Sequence, residues 1–177
     1  MCEHPDLAVV PTVKEFYVNG IERDHFKVFV RGKWVSFDPT TINHFYGLED
    51  LNDEEYHPLI ETDGTNWDAI KDALCKDQVP WKRYANEGLK SFLGQTMNKI
   101  SKIWHYFVCA KLSSITNFNV IMKNMAAFVY AIQENKKIDV EFIIQNSIIH
   151  GFQIGIQGFA HPHLIIELCK KYGGQME

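Results

Sequence analysis

Several side chains in this sequence are of the types that do chemistry, and their spacing decides what each could do. His105 and Cys109 stand four residues apart in a stretch with helical periodicity, a spacing that sets a base beside a thiol on one helix face. Cys109 also borders an apolar stripe, and neighbours of this kind recur throughout helical proteins, so the pair reads as structural filler. His150, His161 and His163 bring three imidazoles close in sequence. A zinc site needs further ligands in defined geometry, and the pair around Pro162 reads instead as the cap of a helix that the proline opens. Acids crowd between Glu49 and Asp77. A transposase or integrase core gathers its carboxylates on a sheet around two divalent metals, and these acids fall in loop-like segments of a chain with too few strands. Gly151, Gly155 and Gly158 lack the lysine and the preceding strand of a phosphate loop, and they read as a connector. The residues therefore predict no catalytic, metal or cofactor site, and the chain reads as a non-enzyme.

Binding chemistry has better candidates. Lys99, Lys102, His105 and Tyr106 fall on the polar side of one predicted helix, with Lys111 beyond it and Lys123, Lys136 and Lys137 further along. Lysines beside aromatics can hold a phosphate backbone and stack bases, so this face is a candidate contact for nucleic acid or for another anionic partner. The second candidate is the edge of a predicted hairpin, marked by Phe29, Arg31 and Lys33. A two-stranded unit leaves backbone groups unpaired, and a second chain can extend it. Self-association or binding of a protein partner is the main expectation.

The elements that must carry these residues follow from pattern. Val13–Val18 form a helix that Pro11 can start and Asn19-Gly20 stop. Phe26, Val28 and Val30 alternate, Arg31-Gly32 breaks the run, and Lys33–Phe37 returns as a second strand. Asp38-Pro39 is a helix start, with Asp38 as N-cap, and Gly47 ends that helix. Residues 48–64 read as an acidic loop. A helix over Asn66–Lys76 places Trp67, Ile70 and Leu74 on one face. Met97, Ile100, Ile103, Trp104, Phe107, Val108 and Leu112 recur at three- and four-residue spacing, which predicts an amphipathic helix with those residues inward and Asn98, Lys99, Ser101, Lys102 and His105 outward. Further helices are predicted over Val120–Gln133, from Asp139 to His150-Gly151, and over His161–Tyr172. The fold class is mainly α within α+β: a helical domain with one small N-terminal β-hairpin. Residues 1–177 read as a single domain, comprising a lead-in (1–10), a hairpin with short helices (11–95) and a helical half (96–174).

Composition agrees with this class. The 177 residues are 46% hydrophobic and 23% charged, which is the composition of a globular chain and not of a disordered one. A net charge of -4 argues against a protein that coats nucleic acid. The charge is uneven, with 17 acids and 10 bases in residues 1–90 against 5 acids and 8 bases in residues 91–177. That asymmetry would let a basic C-terminal face meet an anionic partner or another copy's acidic half. Cys2, Cys75, Cys109 and Cys169 are too irregularly spaced for a zinc knuckle or a disulfide framework. The start, Met1-Cys2-Glu3-His4-Pro5, is polar, and no apolar run approaches the roughly 20 residues that span a bilayer. An intracellular location, cytoplasmic or nuclear, and no membrane partner are expected.

The order of segments resembles a known family. Val13–Asn19, Val28–Phe37 and Ile42-Asn43-His44-Phe45-Tyr46-Gly47-Leu48 come first. Trp104-His105-Tyr106-Phe107 with Lys111-Leu112 follows, then Ala126, Phe128, Tyr130, Ala131 and Ile132, then Ile138-Asp139-Val140 and Leu164, Ile165, Leu168 and Cys169. Over roughly residues 9–174 the chain resembles the plant transposon protein domain family, which is similar to the first open reading frame of some plant retrotransposons. The resemblance implies a retroelement-derived module, often part of a longer polyprotein, and brings no catalytic residues with it. Members usually carry a proline soon after the helix that ends here at Leu112, where this chain has Ser113-Ser114-Ile115.

Overall fold

The computed structural model describes residues 9–49, 51, 54–86, 88–113, 118–154 and 159–173. It is an α+β protein, mainly helical, with eight α-helices among those residues and two small antiparallel sheets. The backbone packs into two units that interleave in sequence. One comprises residues 1–50, 112–114 and 140–177, and the other residues 51–111 and 115–139.

In the first unit α1 (Val9–Asn19) leads into the hairpin β1 (Lys27–Val30) and β2 (Lys33–Ser36). Phe29 pairs with Trp34 and Val30 with Lys33, so the turn contains only Arg31 and Gly32. Both have positive φ, 47° and 79°, as a tight hairpin turn demands. Val28, Val30 and Val35 point into the core while Lys27, Phe29 and Trp34 point out. Helix α2 (Pro39–Tyr46) starts as its sequence predicts. The Asp38 carboxylate accepts a hydrogen bond from the Thr41 amide at 2.8 Å, Pro39 occupies the first turn, and Gly47 closes the helix in the left-handed conformation. Burial alone would raise the Asp38 carboxyl, but hydrogen bonds from Ser36 and Thr41 outweigh it and hold the group below its ordinary value. Helices α7 (Val140–Ile154) and α8 (Pro162–Gly173) complete the unit. Phe16, Phe37 and Phe152 form its aromatic centre, with ring centroids 5.7–5.9 Å apart.

Three expectations are corrected. Helix α7 runs beyond His150-Gly151 to Ile154, so Gly151 is a helical residue and not part of a connector. It lies against Tyr17, where a Cβ would stand 2.6 Å from the ring, and the packing of α1 on α7 requires the glycine. Gly155 and Gly158 lie outside the described residues. The acidic stretch 48–64 contains a helix, α3 (Tyr56–Glu61), whose first amides bond to the Glu54 carboxylate. Residues Val120–Met122 are a strand and not the first turn of a helix, which begins at Lys123.

That strand, β5 (Val120–Met122), belongs to a second sheet in the order β3 (Lys82–Arg83), β4 (Leu89–Leu93), β5. The sheet lies in the second unit with α3, α4 (Trp67–Leu74), α5 (Lys99–Val108) and α6 (Lys123–Gln133). Strands this short give little periodic signal, and it is pairing, of β4 with nearby β3 and with distant β5, that makes them a sheet. Phe92 and Ile121 face each other across β4 and β5, and with Leu74, Met97, Ala126 and Val129 they fill this unit's core.

Candidate interaction surface

Helix α5 is fixed at its start by Asn98. Its side-chain oxygen accepts from the Ser101 amide at 2.9 Å, its amide nitrogen donates to the Ala73 carbonyl at 3.1 Å, and its backbone N–H reaches the Leu74 carbonyl. These bonds satisfy the first orphan donors of α5 and tie it to the end of α4. The helix then packs on α6 with a face turned away from the predicted one: Met97 and Val108 are inward as expected, but Ser101 and His105, expected outside, are inward too. Ser101, His105 and Val108 are buried, at 0%, 2% and 0% exposure. Ile100, Ile103, Trp104 and Phe107 point outward, at 64%, 67%, 37% and 47%.

The inward polar groups find partners, which is what permits this orientation. The Ser101 hydroxyl donates to the Gln133 side-chain oxygen at 3.3 Å and accepts from its amide nitrogen at 3.1 Å. His105 Nε2 lies 3.2 Å from Cys109 Sγ. Burial pushes the His105 imidazole below its ordinary value. Opposite Ser101, α6 presents Gln133. After Val108 the helix passes into a π turn, Cys109–Ser113.

The predicted site residues are dispersed accordingly. Lys99, Lys102 and Tyr106 share one flank of α5 outside the apolar stripe, and Lys111 is exposed in the π turn. Lys102 Nζ donates to the Gln95 carbonyl at 3.2 Å, and the Tyr106 ring lies 5.4 Å from that of Phe118. His105 faces away from them, into the core. Lys123 stands 4.0 Å over the Trp67 ring. Lys136 pairs with Glu55 at 3.4 Å, and the Lys137 amide donates to the same carboxylate. On the hairpin, the Phe29 and Trp34 rings are exposed and touch at 5.3 Å. The outer edge of β1 is already engaged by α1. The Asn19 side chain donates to the Phe29 carbonyl at 2.7 Å, and the Arg31 amide donates to Glu15 at 2.7 Å. Lys33 is exposed at the start of β2. The histidines read for metal are apart in function: His161 Nε2 meets the Leu112 carbonyl at 3.1 Å, and His163 packs its ring on Phe45.

Beside the N-terminal half of α5 lies an open groove of about 770 Å³, lined by Ile100 and Trp104 with Ala73, Asn98 and Ile132 among others. Ile100 and Trp104 belong to both groove and stripe, while Asn98, Lys99, Gln133 and Asn135 give the groove polar walls. Lys99 lines the groove, and Lys102 stands on the same helix.

Residues 1–174 match the family described as "Putative plant retrotransposon-related domain". The chain belongs to this family. Comparison with curated proteins and with solved structures finds no match. The retrotransposon-related chain thus presents, as its largest outward apolar feature on any described helix, the stripe of α5. Sequence periodicity assigned these four residues to the core along with Met97 and Val108, which are buried as expected. No described helix is long and apolar enough to cross a membrane.

Proposed function

We propose that this retrotransposon-derived chain acts without catalysis, as an interaction and assembly module, and that α5 supplies its contact surface. The observation that carries this reading is the outward stripe of Ile100, Ile103, Trp104 and Phe107. Scattered exposed apolar residues need no explanation, but a contiguous stripe beside a groove costs solubility unless something covers it. The test is mass by light scattering over a tenfold or wider range of concentration at about 0.15 M salt. The assembly reading expects the mass to climb above the 20.5 kDa chain. A mass constant at the monomer throughout refutes assembly by this chain alone.

A second reading is supported by Lys99, Lys102 and Tyr106, which stand side by side on the flank of α5. These three could hold a single-stranded nucleic acid by phosphate contact and stacking. It predicts oligonucleotide binding that weakens steeply with salt and falls when Lys99 and Lys102 become Glu.

A further inference from the structure

Resting on the assembly reading and going beyond it, we infer that α5 pairs antiparallel with α5 of a second copy, each Phe107 entering the groove beside the other's Ile100 and Trp104. Positions 100, 103, 104 and 107 have the i, i+3, i+4, i+7 spacing of a helix–helix seam, and all four point outward. They leave on the order of 400 Å² of surface uncovered on each copy, about half of the roughly 800 Å² per partner of a standard interface. The stems of Lys99 and Lys102 and the groove wall extend that area.

The direction follows from an asymmetry along the helix. The groove lies at Ile100 and Trp104, and the projecting ring of Phe107 lies about 10 Å further on at 1.5 Å per residue. A parallel pair would set Phe107 against its own copy and leave both grooves empty. A two-fold axis near residues 103 and 104 sets residue 107 opposite residue 100, so both ring-in-groove contacts form at once. The lysines of α5 point the same way. A parallel pair would face Lys99 with Lys99 and Lys102 with Lys102, whereas the antiparallel one sets each of them away from its counterpart. The hairpin edge is a poorer self-contact, because α1 already uses the outward carbonyl of Phe29. Two copies that bring Lys99 and Lys102 near each other associate more tightly as salt screens them, opposite to the response of a nucleic-acid complex.

The experiment is sedimentation equilibrium of the wild type and of Ile103→Lys, with oxidative crosslinking of Ile100→Cys and Phe107→Cys chains in a Cys2→Ser background. Ile103 is 67% exposed, so its lysine variant keeps the fold, which circular dichroism checks. The proposal expects a wild-type dimer whose Kd falls as salt rises, at least a tenfold higher Kd for Ile103→Lys, and crosslinks between mixed Ile100→Cys and Phe107→Cys chains but not within either alone. An oligomer unchanged by Ile103→Lys overturns the α5 interface while leaving assembly standing. Efficient crosslinking of Ile100→Cys to itself overturns the antiparallel direction. A wild type monomeric at every concentration overturns both readings, and if that monomer binds an oligo-dT probe in a way Ile103→Lys abolishes, the stripe belongs to nucleic acid.

Discussion

The orientation of α5 can be tested by placing the same residue on its two faces. Ile103→Lys puts an ammonium where the side chain is already 67% exposed, and Ser101→Lys puts one where nothing is exposed. At position 103 little burial is lost, and lysine is a slightly better helix former than isoleucine. The expected cost is within about 0.5 kcal/mol. At position 101 the lysine must displace the Ser101–Gln133 hydrogen bonds and carry its charge into a fully buried position. Burying an unpaired charge costs several kcal/mol even after relaxation, so at least about 3 kcal/mol is expected. Urea unfolding followed by circular dichroism measures both, at protein concentrations low enough that self-association adds no stability. The two midpoints are comparable if the slope m is unchanged. A large loss for Ile103→Lys with a benign Ser101→Lys would mean that α5 packs as hydrophobicity alone predicts. The apolar stripe would then be core, and the proposed contact surface would not exist.

Other consequences are as specific. Gly151→Ala should destabilise by about 1–2 kcal/mol in a thermal or urea melt, since overpacking the added methyl on Tyr17 outweighs a helix-propensity gain of about 1 kcal/mol. Asp38→Ala should cost about 1 kcal/mol through loss of the α2 cap, and Asp38→Ser should restore most of it. Burial holds His105 below its ordinary value, and burial does the same for His161 against the opposing bond to the Leu112 carbonyl. The unfolded chain then binds protons that the folded chain does not. This contribution to stability is complete above the unfolded value near 6.5 and is lost as pH falls through the lower folded values. Urea midpoints measured from pH 7.5 down to pH 5 should drop, and less steeply in His105→Gln. Burial also lifts the Cys169 thiol to about 11, so alkylation by iodoacetamide at pH 8 should label Cys169 only after unfolding.

Where local chemistry settles the structure, the sequence was sufficient. The cap at Asp38-Pro39, the stop at Gly47 and the Arg31-Gly32 turn each rest on residues adjacent in the chain, and each stands where the pattern put it. The mainly helical class follows from the same signals. The second sheet was not legible, because β3 and β5 are two and three residues long and become strands only by pairing with β4, which β5 meets across a long separation. Gly151 misled for a related reason. A glycine near a helix end usually marks a stop, and nothing local announces that Tyr17, far away in the chain, needs the space.

The reversal of α5 is the most consequential of these failures. Periodicity reports that a helix has two unlike faces, and it leaves open which of them meets the protein's own core. In α5 the inward face is built from Ser101, His105 and Val108, each small or hydrogen-bonded, and it meets Gln133 of α6. Two satisfied polar groups replace the bulk that Ile103 and Trp104 would have supplied. A helix that merely needed burial would gain more by turning its isoleucines inward, so the chain forgoes apolar burial inside the unit. That sacrifice is intelligible if the burial is recovered elsewhere, on a surface that the isolated chain does not possess. The same four residues that make the helix look like core would then do the work of core, between molecules instead of within one.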